Sequence, residues 1–166
     1  MPGPVVPAAS TTVPTGALFD IVLLLHVAAV IFALGTVVTS GVQAARVLAA
    51  GSAAPPRSVV AYFRPGVNWA GRVLYAVPVF GFALLGLSSG AYTLGQDWVV
   101  WGLVLWVVAA LVAEWVLWPA ERRVQAAIGD GDSAETLGRA CRATCGSAAV
   151  LAVVLVVAVV LMVARP

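Results

Sequence analysis

The chain has 166 residues, of which 62% are hydrophobic and 10% charged, with a mean hydropathy of +1.04. Ordinary soluble domains carry about 25% charged residues, and a water-soluble chain of this length could not hide so much apolar surface, so soluble fold classes are excluded. The net charge is +2, and the basic residues are all arginines that fall in loops rather than along one soluble face, which speaks against nucleic acid as a partner.

Along the chain, a Pro/Ala/Thr-rich stretch, "MPGPVVPAASTTVPTG", comes first. It reads as a flexible tail over residues 1–16 outside the membrane, ahead of a single domain over 17–166. It carries no Lys or Arg, and the apolar run behind it is too long for the core of a cleaved signal, so the run reads as a retained span. A membrane helix needs about 20 mostly apolar residues. Four stretches meet that requirement: 17–47, 69–91, 98–118 and 147–164. None alternates as barrel strands do, and lipid offers no partner for backbone groups, so each must be a helix. The expected fold is an all-α membrane protein, a bundle of four transmembrane helices.

Arginine placement sets the expected orientation. The first loop holds Arg46, Arg57 and Arg64, with Arg72 at the edge of span two, and Arg122, Arg123, Arg139 and Arg142 lie in the third. The short loop "YTLGQD" between spans two and three has none. By the positive-inside rule both termini are outside. Trp69, Trp98, Trp101, Trp115 and Trp118 fall at span ends, where aromatic belts sit, while Trp106 lies mid-membrane and faces a neighbouring helix or lipid.

Small residues permit close helix approach. In span one Gly35 stacks with Thr39, and Thr36 with Ser40; in span two Gly86 and Gly90 are one turn apart. These positions are expected to pack spans one and two or to form a dimer face. Pro78 removes one helix hydrogen bond, frees the carbonyl of Leu74 and is expected to kink span two.

In the third loop, Asp132 with Glu135 fits a capping box. The run Asp130-Gly131-Asp132 fails as a calcium loop, because the required later Gly and Glu are replaced by Glu135 and Cys141. Cys141 and Cys145 share one helical face, but no His or third Cys lies near them, so they read as reduced thiols rather than a zinc site.

Ionisable residues inside a membrane are the natural place to look for function. His26 is about 13 Å and Glu114 about 24 Å from the outer edge by helix rise, two turns apart in depth, so they are not expected to pair directly. Arg72 and Tyr75 fall near the depth of Glu114, and an ion pair with a tyrosine donor would offset the cost of both charges. His26 has only apolar neighbours on its own helix, so its partner must come from another: a carbonyl near Pro78, or Ser88 or Ser89.

The stretch "LLLHVAAVIFALGTVV" resembles the opening helix of a group of small bacterial four-span proteins described as predicted integral membrane proteins of unknown function. Those proteins share a Leu-His-Val-type step followed by a Gly, here at His26 and Gly35, and the aromatic-Pro step in "WVLWPAERRVQ" is also similar to theirs. The resemblance implies the four-span layout and supplies no activity. More distantly, the His-bearing first helix resembles the membrane domain of copper-resistance D proteins, although the further histidines and methionines that copper handling would want are missing here.

The expected function is that of a structural or accessory subunit of a membrane assembly in the bacterial plasma membrane. Its partners are the lipid bilayer and a second copy or a larger complex. A haem- or copper-binding redox or transport protein using His26 is the alternative, and one histidine would then need a second copy to complete a bis-His site. A small proton-coupled carrier using Glu114 is a third reading. No cofactor is expected outright. No Ser-His-Asp set, phosphate loop or metalloprotease motif can be assembled, which argues against a hydrolase.

Overall fold

The computed structural model describes residues 16–51 and 54–164. Apart from Gly16, the expected N-terminal tail lies outside the described residues, as does Arg165. Helix α1 spans Ala17–Ala50 and α2 spans Arg57–Tyr62. A 3-10 helix, Trp69–Tyr75, runs directly into α3, Ala76–Leu87. Helix α4, Asp97–Val112, passes through a π-helical turn, Ala113–Leu117, into α5, Trp118–Gly129. Helix α6 spans Ala134–Ala164. Among the described residues, four continuous helical stretches are long and apolar enough to cross a membrane: Ala17–Ala50, Trp69–Leu87, Asp97–Gly129 and Ala134–Ala164. The protein is thus a multi-pass, all-helical membrane protein.

The third and fourth stretches overrun their apolar segments at the arginine-rich end. At 1.5 Å per residue, the 31 residues of α6 reach about 46 Å, well beyond a hydrocarbon core of about 30 Å. The overrun buries something. Val124 of α5 packs with Ala140 and Cys141 of α6, Ala44 and Val47 of α1, and Val59 and Phe63 from α2 and its end. A second cluster fills the middle of the bundle, with Ala33, Val37, Leu74, Ala109, Leu117 and Leu151 among its members.

Helices α1 and α6 form the central pair. They run antiparallel: a Cβ on Gly41 would lie 3.1 Å from the Cβ of Ala148, and one on Gly138 would lie 4.0 Å from Leu48. Phe19, His26, Ala33, Ser40 and Val47 of α1 are buried at seven-residue intervals, with Val37 and Ala44 between them. On α6, Cys141, Ala148 and Leu155 repeat the interval, with Thr144 and Leu151 between. A seven-residue burial period is the mark of left-handed, knobs-into-holes helix packing. The 3-10 helix and α3 pack along α1, and α4 packs along α6. Spans two and three then meet mainly through long side chains.

The turn after α3 differs from the expectation that span two reaches Ala91. The helix ends at Leu87, and the Ser88 hydroxyl bonds the carbonyls of Leu85 and Tyr92 and accepts from the Tyr92 N–H. Gly90 follows at φ +88°, a left-handed turn position that glycine takes without a Cβ penalty. At the other connection, Ser133 rather than Asp132 caps α6: its hydroxyl accepts the Thr136 N–H at 3.3 Å. The helix begins one residue later than the capping box with Glu135 required.

Candidate functional site

Two prolines shape the site. Pro78 has no N–H for the carbonyl of Leu74, and the chain before α3 is wound as a 3-10 helix. The indole Nε1–H of Trp106 on α4 supplies the missing donor to Leu74 at 3.0 Å. Opposite, Pro119 follows Trp118 at the point where the helix is wound wide. The Trp118 N–H reaches back five residues to the carbonyl of Ala113. Such π-turns absorb an extra residue and re-aim the side chains around them.

A 3-10 helix has three residues per turn, so Trp69, Arg72 and Tyr75 share one ridge. Arg72 and Tyr75 on that ridge face Glu114 and Trp118 of span three and α5. One carboxylate oxygen of Glu114 accepts from Arg72 Nη1 and from the Tyr75 hydroxyl, each at 2.6 Å. The Arg72 guanidinium lies 3.7 Å from the centroid of the Trp118 ring. Tyr75 sits edge-on to Trp106 and tilted against Trp118. Gly71 allows this approach, since a Cβ there would stand 3.1 Å from Trp118 Nε1. The structure therefore brings Arg72, Tyr75 and Glu114 together at one point. Their pair opens to the side of the bundle, with Arg72 and Glu114 side chains 27% and 40% exposed.

One turn further along α5 lies a residue that sequence reasoning missed. Glu121 is only 4% exposed, and the Ser40 hydroxyl of α1 donates to its carboxyl at 2.5 Å. Asn68 and Tyr62 complete its surroundings. The Tyr62 hydroxyl is buried without a hydrogen-bond partner among the described residues. Burial and the nearby Glu121 carboxyl push its ionisation above the usual tyrosine range. The available signal was spacing, since Glu121 follows Glu114 by seven residues, but the π-turn between them shifts the helix face and Glu121 meets Ser40 of α1 instead of span two.

These contacts form an antiparallel register. Tyr75 meets Glu114, Arg72 meets Trp118, Asn68 approaches Glu121, and the Gln125 amide donates to the Gly66 carbonyl at 3.4 Å. Beside the register, toward the arginine-rich end, lies a narrow crevice bordered by Gly66, Arg72, Trp118, Glu121, Arg122 and Gln125.

His26 stands apart from this network. It is 9% exposed, and its Nδ1–H donates to the carbonyl of Val77, next to Pro78, at 3.0 Å. Gly81 makes room for the ring, because a Cβ there would lie 3.5 Å from its Cε1. The donor assignment leaves Nε2 as the lone-pair nitrogen. Among the described residues, no three His, Cys, Asp or Glu side chains converge as a metal-holding group.

The expected packing positions divide. Ser40 is buried on the central seam and is bonded to Glu121. Thr36 and Thr39 turn their hydroxyls back to their own helix, to the carbonyls of Ala33 and Gly35, each at 2.8 Å. A Cβ at Gly35, Gly86 or Gly90 would meet nothing within 4 Å, so none of these three mediates a close helix approach within the chain. That role falls to Gly41 against Ala148 and to Gly102, where a Cβ would press on the flexible end of Met162. The cysteines also lie on the central seam. Cys141 is fully buried, and the Cys145 thiol donates to the Gly41 carbonyl at 3.4 Å.

No curated protein and no solved structure matches the chain. The profile of the predicted integral membrane protein family DUF2269 matches residues 20–166, covering every span and both halves of the polar register. The chain belongs to that family of integral membrane proteins.

Proposed function

We propose that the protein is a structural or accessory subunit of a bacterial plasma-membrane assembly, with both termini outside and the arginine-rich end in the cytoplasm. One observation carries this reading: the intramembrane polar groups act as crosslinks inside the bundle. Glu114 ties span three to span two through Arg72 and Tyr75, Glu121 ties α5 to α1 through Ser40, and His26 ties span one to span two through Val77. Groups held this way stiffen a scaffold. A Glu114 proton carrier would have to break two short bonds in each cycle. The arginine-rich loops support the orientation.

The test is isolation from the native membrane in mild detergent. The expected result is a colourless protein that runs with a second copy or a stable partner. A lone monomer at every concentration would overturn the reading. For orientation, an impermeant thiol reagent should label Ser10→Cys and spare Ser133→Cys in intact cells.

A second reading has its own support. Metal-binding histidines commonly donate the ring nitrogen opposite the metal to a backbone carbonyl, and His26 does so to Val77. Haem or copper held by Nε2, with a second copy supplying another ligand, would give a visible band. Loss of such a band in His26→Ala would favour this reading over the first.

A further inference from the structure

We propose that the crevice between the start of span two and α5 seats the headgroup of an aminophospholipid, its phosphate at Arg122 and Gln125 and its ammonium toward Glu121. The crevice is bordered by the Arg122 guanidinium and the Glu121 carboxyl, which share no hydrogen bond or ion pair among the described residues. Arg72 is matched by Glu114. Arg122 is exposed and makes no hydrogen bond or ion pair among the described residues. Glu121, its neighbour in sequence, is buried and points from a different side of the helix. A cation at the rim and a carboxyl at the floor complement a zwitterion with separated charges. A purely anionic headgroup brings no N–H donor to the Glu121 carboxyl.

Shape narrows the class further. The crevice is small, about 40 Å³. A primary ammonium fits such a space and brings three N–H donors to a carboxyl. A trimethylammonium group is bulkier and has no N–H to donate. The position suits a lipid as well. Trp69, three residues from Arg72, is 76% exposed, and Trp115, beside Glu114, is 75% exposed. Exposed indoles mark the headgroup level of a bilayer. The crevice is lined by Val67 and Asn68, next to Trp69, and opens toward the arginine-rich end, and basic pockets between helices near the headgroup level are suited to lipid headgroups.

The test uses the full chain, delipidated in mild detergent and titrated with short-chain phosphatidylethanolamine, phosphatidylcholine and phosphatidylglycerol, with binding read by native mass spectrometry and unfolding temperature. Phosphatidylethanolamine should bind about tenfold tighter than phosphatidylcholine, the worth of one charge-assisted hydrogen bond. Arg122→Gln should weaken both lipids alike. Glu121→Gln should erase the preference between them. If Glu121→Gln does not fold, Gln125→Leu at the rim still tests the phosphate contact and should weaken both lipids as Arg122→Gln does. Equal binding of the two lipids, tighter binding of phosphatidylglycerol, or unchanged binding in Arg122→Gln would each overturn the proposal. So would inorganic phosphate competing as well as the lipid, since the site would then hold a free ion.

Discussion

The central α1–α6 seam and the interface between spans two and three lie in the same bundle and are glued in opposite ways. Along the seam, buried side chains recur every seven residues, and the backbones come close where they are small, as at Gly41 and Ala148. Between spans two and three the backbones stand apart, and Arg72, Tyr75, Trp106, Trp118 and Glu114 reach across. In lipid there is no hydrophobic force to drive helices together, so association rests on van der Waals packing or on polar contacts. The seam uses the first and the side-chain register the second. The seam is closed to solvent and ligands, whereas the register leaves a crevice with charges at its edge. Rigidity therefore belongs to one region and recognition to the other.

The sharpest way to break this contrast is to add bulk at the seam. Gly41→Leu must push α1 off Ala148, and overpacking of this kind costs up to about 3 kcal/mol. Equilibrium unfolding in mixed micelles should show it. A stability equal to wild type would mean that the seam is looser than its burial implies.

Ser40→Ala comes next, because Ser40 is where the two regions touch: it lies on the seam and donates to Glu121. Removing the donor leaves a buried carboxyl short of a partner, at about 2 kcal/mol. Ser40→Thr, which keeps the hydroxyl, should recover part of the loss in the same unfolding assay. If Ser40→Ala is neutral, Glu121 is held by Asn68 and not by the seam.

The register itself should respond less. Arg72→Gln and Glu114→Gln, singly and together, form a cycle whose coupling energy is about 1 kcal/mol, kept small by the partial exposure of both side chains. Losses that simply add would show that the two spans do not depend on their ion pair.

The helices were legible in the sequence because bilayer thickness fixes the length of an apolar run, and these runs stand out plainly. The Arg72–Tyr75–Glu114 grouping follows from depth alone, since charges in lipid need partners and few are available at that level. The seam was not legible. Where nearly every residue of α1 is apolar, hydropathy carries no phase, and the buried face is marked by small residues that also occur elsewhere. Gly35 and Gly41 look alike in sequence, yet only Gly41 meets another helix. Glu121 was obscured by its setting in "ERRVQ", which reads as a solvated extension until α5 is seen to fold back against α1 and α6. Pro119 and the π-turn before it, which shift the helix face ahead of Glu121, lie outside any regular periodicity.

The smallest expected effect tests that distinction between glycines. Gly35→Leu and Gly86→Leu place side chains where a Cβ meets nothing within 4 Å. Within the isolated chain each should change stability by no more than about 0.5 kcal/mol, and the gain in helix propensity even favours leucine. Both positions keep clear of the seam, the register and the crevice, so lipid binding should also be unchanged. If either variant nevertheless loses a native partner or a second copy on isolation, while remaining as stable as wild type in detergent, the open glycine face is an intermolecular surface. The seam and the register would then account for the folded bundle, and these two glycines for what the bundle joins.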